Sequence, residues 1–326
     1  MSLDSDVIVD RRRIRRKLTF WRVVASLVAI VAIVIVGVLA TRSGPAALTA
    51  SGSIARVNIE GLIRSDQQRV EALERLEKSS HVAVIVHINS PGGTTAGSEQ
   101  LYDSLVRLKA KKPLVVVVEG LAASGGYITA LAADHIVARQ SSLVGSIGVL
   151  FQFPNFTELL KTVGVKVEEV KSSPLKAAPN GYEPTSPEAR AALDALVKDS
   201  YAWFRGLVKD RRGMDEALIE KVADGRVFTG RQAVELKLVD QLGDEKSAIA
   251  WLVAEKKIKS DLPVRDFKLT PQFGDLTFLR AAASIAFDAL GLSSIARQIE
   301  QAGVAQAADQ FALDGMLALW RPAASN

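Results

Sequence analysis

A serine that follows an apolar run is the residue of this 326-residue chain best placed for chemistry. The run 114–118 predicts a buried parallel strand, and the small residues around Ser124 predict a tight turn into a helix over 127–133. The first N–H groups of a helix have no intrahelical acceptor, so a serine there has backbone donors beside its hydroxyl. The pattern predicts either a nucleophile at Ser124 or, as the alternative, an ordinary helix-capping serine.

A serine hydroxyl is a weak nucleophile and needs a base beside it, for which histidine is the first candidate. His81 and His87 belong to a predicted strand upstream, and His87 lies inside its apolar run. His135 follows Ser124 by eleven residues, which is about 16 Å along a helix. These positions predict structural histidines and disfavour a Ser-His-Asp triad.

Lysine is the other candidate base, because a desolvated amine loses its proton near neutral pH. Lys176 lies in the irregular segment 172–187 among uncharged neighbours, and Lys171 precedes that segment as the minority candidate. Each also fits an ordinary solvated lysine. Ser173 and Lys176 match the Ser-x-x-Lys spacing of penicillin-binding proteins, but Pro174 argues against the helix that this motif requires.

A second glycine turn, at residues 89–93, ends the strand that precedes the one leading to Ser124. Two such turns on neighbouring strands would each direct a backbone N–H at one oxyanion, whereas the alternative is glycine serving only the turn geometry. The sequence contains no phosphate-binding loop, no His-Glu-x-x-His pattern and no dinucleotide fingerprint. It therefore predicts neither a cofactor nor a metal.

The elements that position these turns alternate between apolar runs and amphipathic helices, which predicts an α/β fold with a largely parallel sheet. The predicted strands are 54–60, 81–89, 114–118, 135–138, 143–150 and 165–170, and the main predicted helices are 66–78, 98–110, 155–163, 187–211, 214–223 and 244–256. Residues 258–326 are rich in Ala and Leu, and we predict a helical extension whose role stays open.

The N-terminus has the composition of a membrane anchor. Residues 1–22 hold seven basic and three acidic side chains, which is +4 of the formal net charge of +5. The apolar segment 23–40 behind Trp21 spans about 27 Å as a helix, so we predict a cytoplasmic tail over 1–19, a transmembrane helix over 20–40 and a linker over 41–53. A cleaved signal peptide is the alternative, and the length of the apolar segment disfavours it.

The charge and cysteine content of the rest of the chain exclude some classes of function. Only +1 of the net charge remains beyond residue 22, which disfavours a nucleic-acid partner. The chain has no cysteine, so thiolate nucleophiles, disulfides and cysteine metal sites are excluded.

Several stretches resemble, in order, the motifs of bacterial signal peptide peptidase A. The resemblance covers about residues 54–255. The matching stretches are 89–93 (Asn-Ser-Pro-Gly-Gly), 123–127 (Ala-Ser-Gly-Gly-Tyr), 145–149 (Gly-Ser-Ile-Gly-Val), 223–227 (Ala-Asp-Gly-Arg-Val) and 238–240 (Leu-Val-Asp).

The resemblance implies a Clp-protease/crotonase-like fold, with a peptidase domain over 54–257, and a serine endopeptidase of the family's short form that acts through a Ser-Lys dyad. Ser124 would be the nucleophile and Lys176 the general base, and Ser146 would help to orient the lysine. Gly93 and Gly125 would donate their N–H groups to the oxyanion.

The resemblance also implies a place and a task for the chain. The protein would be anchored in the bacterial inner membrane, with its N-terminus in the cytoplasm and its catalytic domain in the periplasm. It would degrade signal peptides that remain in the membrane after secretion. The family implies a homo-oligomeric ring, in which the short form would complete its dyad across a subunit interface.

Two other functions remain as alternatives. A crotonase-type acyl-CoA enzyme shares the fold and uses paired backbone donors at a thioester oxygen, but needs neither a membrane anchor nor Ser124. A catalytically silent membrane scaffold would keep the fold, and the presence of both Ser124 and Lys176 disfavours it.

Overall fold

The computed structural model describes Trp21, residues 52–269 and the backbone of residues 317–319. The chain divides into two units, residues 1–51 and residues 52–326. The predicted cytoplasmic tail, nearly all of the predicted transmembrane helix and most of the C-terminal extension lie outside the described residues. Within the described part, no helix has both the length and the apolar character needed to cross a membrane.

A mixed sheet organises the second unit, and nine of its strands fall within the described residues. Their bounds are β1 Ile54–Ile63, β2 Ala83–Thr94, β3 Leu114–Ala123, β4 His135–Ala138, β5 Leu143–Gly145, β6 Val227–Thr229, β7 Gln241–Leu242, β8 Val264–Asp266 and β9 Leu317–Leu319. The order is β6-β5-β3-β2-β1-β8, while β4 pairs with β3 and β7, and β9 pairs with β2. The pairs β5–β6 and β2–β9 are antiparallel and the other pairs are parallel, so the predicted α/β class is confirmed.

The helices begin and end where the sequence supplies caps. Asp66 accepts a hydrogen bond from the N–H of Arg69 at the start of α1, and Ser186 precedes the long helix α5, which Gly213 ends in a left-handed conformation. The bounds are α1 Gln67–Glu77, α2 Thr95–Lys109, α3 Gly125–Ala130, α4 Thr157–Thr162, α5 Pro187–Arg212, α6 Glu216–Val222, α7 Gly230–Glu235 and α8 Glu245–Lys256.

The central strands are buried on both faces, as their continuous apolar runs predict. Val86 and Val116 belong to the large core that includes residues of α1, α2 and α3. Ile85 and Val117, on the opposite face, pack in a second cluster with Leu252 of α8. Burial of each such side chain stabilises the fold by about 1.5–3 kcal/mol. The turns that follow β2 and β3 therefore begin at the ends of well-packed strands.

The two central strands continue further than their apolar runs. β2 extends through the predicted glycine turn to Thr94, because the end of β1 pairs with it at Gly92 and Gly93. β3 extends to Ala123 and pairs there with Gly145 of β5. The small residues at these positions have low strand propensity. They adopt the strand conformation because neighbouring strands pair with them.

The predicted strand at 165–170 is wrong. The structure shows no regular element over these residues, and Val165, Val167 and Val170 are exposed. The β-branched residues satisfy the local propensity for a strand, but none of the described strands pairs with them to complete a ladder. The predicted strand at 143–150 is too long for a related reason, because positive φ angles at Gly145 and Ser146 end β5.

Candidate active site

Ser124 occupies a strained turn between β3 and α3. Its φ of 54° and ψ of −117° are unusual for a residue with a Cβ atom, and such strain costs about 1–3 kcal/mol. The backbone holds it in place, because its N–H donates to the Gly145 carbonyl (2.7 Å) and its own carbonyl accepts from Tyr127 (2.9 Å) and Ile128 (3.0 Å). The buried hydroxyl makes no hydrogen bond with any described residue, so the helix-capping alternative is wrong for this serine.

The helix behind Ser124 is fixed by buried polar contacts. All six residues of α3 are buried, and the hydroxyl of Tyr127 donates to the Leu238 carbonyl at 2.7 Å. Burial raises the pKa of Tyr127, so this donor stays protonated. Gly125 begins the helix and its N–H is one of those without an intrahelical acceptor. The stretch 238–240 therefore holds the helix whose first donors lie next to the Ser124 hydroxyl.

The two glycine turns lie side by side at the carboxyl edge of the sheet. Ser90 of β2 is opposite Ala122 of β3, two residues before Ser124, so both chains leave the sheet together. A Cβ atom at Gly126 would lie 2.7 Å from the Ser90 carbonyl oxygen, which shows how closely the turns pack. The structure therefore brings Gly93 and Gly125 to the same edge as Ser124.

Substitution of Gly93 should be among the most damaging changes in this part of the fold. A Cβ atom at Gly93 would lie 1.7 Å from the Ile63 carbonyl oxygen, so Gly93→Ala must displace β1 or the turn. We expect a loss of at least about 1–3 kcal/mol in the free energy of unfolding and a fall in peptidase rate of about 10²–10³-fold. Thermal unfolding and hydrolysis of a fluorogenic apolar peptide measure the two effects.

Gly206→Ala is the matched control for this prediction, because Gly206 lies inside α5 with nothing within 4 Å of the added Cβ atom. This variant should keep its activity and gain up to about 1 kcal/mol of stability. A Gly93→Ala protein that unfolds at the same temperature as the wild type would show that the close approach to Ile63 is not a constraint.

Ser146 also lies close to the Ser124 turn. It has a positive φ of 51°, and its N–H donates to the Arg226 carbonyl at 2.8 Å. Antiparallel pairing of β5 and β6 thus joins two of the motif stretches, 145–149 and 223–227. The Ser146 hydroxyl makes no hydrogen bond within the part of the chain that the structure describes.

The structure does not place Lys176 in contact with Ser124. The Lys176 side chain is exposed, and its amine makes no hydrogen bond or ion pair with any residue between 52 and 269. The surrounding segment exposes an unusual number of large apolar side chains. We call this set the apolar face: Leu150, Phe156, Leu159, Val163, Val165, Val167, Val170, Leu175 and Tyr182.

Lys171, the minority candidate, has carboxylate partners on both sides. Its amine lies 2.6 Å from Glu169 and 2.6 Å from Glu183. The hydrogen bond to Glu169, followed by that to Glu183, raises the pKa of Lys171. A lysine held in its charged form is a poor general base, so the geometry disfavours Lys171.

The three histidines have partners away from Ser124. His87 lies between two carboxylates, with Nδ1 2.8 Å from Glu119 and Nε2 2.7 Å from Glu245. His81 lies 2.8 Å from the Ser53 hydroxyl, and burial lowers its pKa.

His135 stacks on Trp251, with ring centroids 4.7 Å apart. The prediction of structural histidines is therefore confirmed for all three. Among the described residues, no group of His, Asp and Glu side chains is arranged to hold a metal ion.

Comparisons with known proteins identify related families and relatives. The model of "Peptidase family S49" matches residues 106–259, and the model of "Clp protease" matches residues 61–142. A Synechocystis protein named "Putative protease slr0021" is 38% identical over 200 residues, which are 61% of this chain and 72% of that protein. "Protease 4" of Haemophilus influenzae is 30% identical over 227 residues, which are 66% of this chain and 37% of that protein.

Two further similarities concern a named peptidase and a solved structure. The "Putative signal peptide peptidase SppA" of Enterococcus faecium is 31% identical over 227 residues, covering 68% of this chain and 66% of that protein. ClpP1 of Listeria monocytogenes gives a TM-score of 0.41 at 17% identity, covering 59% of this chain and 92% of that chain.

The α/β sheet, the Ser124 turn and the two family models define a serine peptidase with a Clp-protease-like domain. The chain belongs to peptidase family S49. Coverage of the relatives is uneven, since the chain spans 72% of the Synechocystis protein but only 37% of the Haemophilus one.

Proposed function

We propose that this chain is a membrane-anchored serine endopeptidase that degrades signal peptides left in the membrane after secretion. One observation carries the proposal, namely the Ser124 hydroxyl, which makes no hydrogen bond with a described residue and lies in a strained turn directly before the first residue of α3. Membership of family S49 supports the peptidase chemistry, and the named peptidase of Enterococcus faecium supports the substrate class. Ser124 is the nucleophile and Lys176 is the general base of this proposal.

The proposed reaction divides hydrolysis into acylation and deacylation. The uncharged Lys176 amine takes the proton from Ser124 as Oγ bonds to the peptide carbonyl carbon, and the carbonyl electron pair moves to the oxygen. The N–H groups of Gly93 and Gly125 hold that oxyanion. The C–N bond then breaks, and the leaving amine takes the proton from the lysine. In deacylation the lysine takes a proton from water as the water oxygen bonds to the acyl carbon, the C–Oγ bond then breaks, and Ser124 takes the proton back from the lysine.

We further propose that a second copy of the chain supplies the lysine in a homo-oligomeric ring. Within one chain, the Ser124 hydroxyl has no base and the Lys176 amine has no partner among the described residues. The apolar face comprises nine exposed large apolar side chains between residues 150 and 182, and a concentration of exposed apolar side chains supports an interaction surface in this segment. Covering it with a second copy would desolvate the amine, which disfavours its charged form, and in this proposal Ser146 then helps to orient the amine.

The strand pairing at the end of β2 supports the proposal that the substrate is a peptide. β9 pairs antiparallel with it, placing Leu317 opposite Thr94, Ala318 opposite Gly93 and Leu319 opposite Gly92. This edge therefore accepts an extended segment directly beside the proposed oxyanion donor. Strand addition to a sheet edge is a common way to hold a peptide through its main chain.

Weakening the β2–β9 pairing should make this edge more available to substrate. Ala318→Pro removes one main-chain donor from β9, and loss of one such hydrogen bond, worth about 0.5–1.5 kcal/mol, would lower KM about two- to tenfold. Ala324→Pro, outside β9, is the matched control and should leave KM unchanged. A KM that does not fall in Ala318→Pro would show that β9 does not compete with substrate.

The proposed location follows from the N-terminal sequence. The apolar segment 23–40 behind seven basic residues supports an inner-membrane anchor with a cytoplasmic N-terminus and a periplasmic catalytic domain. Protease digestion of intact spheroplasts tests this arrangement, because external protease should remove the catalytic domain. Full protection of residues 54–257 would contradict it.

A direct assay of the function compares two substrates of equal length. We expect the full chain in liposomes to cleave a synthetic signal peptide faster than a hydrophilic peptide, and Ser124→Ala to cleave neither. Equal cleavage of both peptides by the wild type would contradict the substrate class. Products that persist in Ser124→Ala would contradict the nucleophile.

A further inference from the structure

One buried hydroxyl connects β1 with the turn that contains Gly93. Ser90 has no exposed surface, and its Oγ donates to the Gly61 carbonyl oxygen at 2.7 Å. The same Oγ accepts a hydrogen bond from the N–H of Gly92 at 3.1 Å. Ser90 therefore uses its donor and an acceptor site to fix the residue directly before Gly93.

This restraint acts on a stretch of backbone whose two glycines permit many conformations. Gly92 has a positive φ of 106°, and two consecutive glycines have many more accessible conformations than other residues. The register between β1 and β2 also shifts between Glu60 and Leu62, so regular ladder pairing is interrupted beside Gly61. The Ser90 hydrogen bond therefore acts together with the pairing of Gly92 and Gly93 to β1 in selecting one conformation for the Gly92–Gly93 peptide.

Ser90 also contacts the other turn of the site. Its carbonyl oxygen would lie 2.7 Å, and its Cβ atom 3.3 Å, from a Cβ atom placed at Gly126. A single residue thus touches β1, the turn before Gly93 and the helix that follows Ser124. Movement of the groups that hydrogen-bond to the Ser90 hydroxyl would therefore move the proposed oxyanion donor, Gly93, relative to Ser124.

We propose that Ser90 is a positioning residue that aims the Gly93 N–H at the oxyanion. The inference rests on the proposed function, in which Gly93 is an oxyanion donor. Ser90 touches no substrate in this account and acts only through Gly92. The consequence is a specific one, because loss of the Ser90 hydroxyl weakens binding of the transition state more than binding of the substrate.

The test compares Ser90→Ala with Ser104→Ala in the full chain. Ser104 is also a buried serine, and its hydroxyl donates at 2.8 Å to the Gln100 carbonyl within α2, away from the turns. We expect Ser90→Ala to lower kcat about 10- to 100-fold with KM changed less than threefold, since small misplacement of a catalytic group has costs of this size. Ser104→Ala should leave both constants within about twofold of the wild type.

A peptide aldehyde separates positioning from general destabilisation. Ser124 Oγ adds to its carbonyl carbon and transfers its proton to the base, and the resulting oxyanion depends on the same donors as the transition state. The inhibition constant of a tripeptide aldehyde should therefore rise by about the factor by which kcat falls, while that of the corresponding peptide alcohol stays unchanged. Equal weakening of both inhibitors would overturn the proposal.

Ser90→Cys distinguishes hydrogen bonding from packing, because a thiol fills similar space but is a weak donor and acceptor. We expect an intermediate kcat, and wild-type kcat in this variant would overturn the proposal. Ser90→Cys also provides the test if Ser90→Ala does not fold. An inactive wild type, or an active Ser124→Ala, would instead contradict the proposed function, so the two failures are distinguishable.

Discussion

Ser124→Ala should abolish peptidase activity without destabilising the protein. Removal of the nucleophile from a serine peptidase lowers kcat by about 10³-fold or more, up to about 10⁶-fold. The hydroxyl makes no hydrogen bond with any described residue, so its loss should change the free energy of unfolding by less than about 0.5 kcal/mol. Peptide hydrolysis and denaturant unfolding of the same preparation measure both quantities.

Ser124→Gly extends this prediction, because glycine adopts the positive φ of this turn without strain. This variant should be inactive yet more stable than the wild type, by about 1 kcal/mol. Ser142→Ala is a control in which stability, and not activity, should change. Its buried hydroxyl donates to the Val118 and Glu119 carbonyls, so its loss should reduce stability and leave the chemistry intact. A Ser124→Ala protein that retains hydrolysis above background would refute the nucleophile.

Lys176→Met should reduce kcat almost as much as loss of the nucleophile, by about 10³-fold or more, because residues that act as one catalytic unit have similar individual effects. Methionine keeps the length and apolar stem of the side chain but removes the base. The amine makes no ion pair with a described residue, so stability of the single chain should not change. Single-turnover hydrolysis of an activated ester measures the acylation step directly.

Lys171→Met is the matched control, five residues before Lys176. It removes ion pairs in which 17% of the Lys171 side chain, 32% of the Glu169 side chain and 50% of the Glu183 side chain are exposed, so we expect a modest cost in stability. Activity within a few-fold of the wild type is the expected result. A large loss in Lys171→Met together with an active Lys176→Met would transfer the role of base to Lys171.

The sequence was sufficient to predict the framework that carries the nucleophile. The valine-rich run before Ser124 has the composition of a central strand, and the small residues around Ser124 indicate the turn into the next helix. The helices with strong caps, such as α1 and α5, also begin and end within one residue of their predicted limits. These features depend on local sequence, and local sequence is enough to define them.

Features that depend on distant partners could not be predicted in the same way. Residues 92–94 form strand only because β1 and β9 pair with them, and neither pairing has a local signal. The valines at 165–170 have the propensity of a strand, but no strand within the described residues pairs with them. The role proposed for Ser90 depends on the hydrogen bonds of its hydroxyl with Gly61 and Gly92. The sequence signal for this role is only a serine directly before Pro-Gly-Gly.

The central claim is that Ser124 of one copy works with Lys176 of another. Inactive Ser124→Ala and Lys176→Met chains, carrying different tags, should be co-expressed and the mixed oligomers isolated by purification on both tags. If each site takes its serine and its lysine from neighbouring subunits, about a quarter of the sites in randomly mixed rings contain both groups, and that fraction of wild-type activity should return. Mixed oligomers that contain both chains and show no hydrolysis would contradict the shared site.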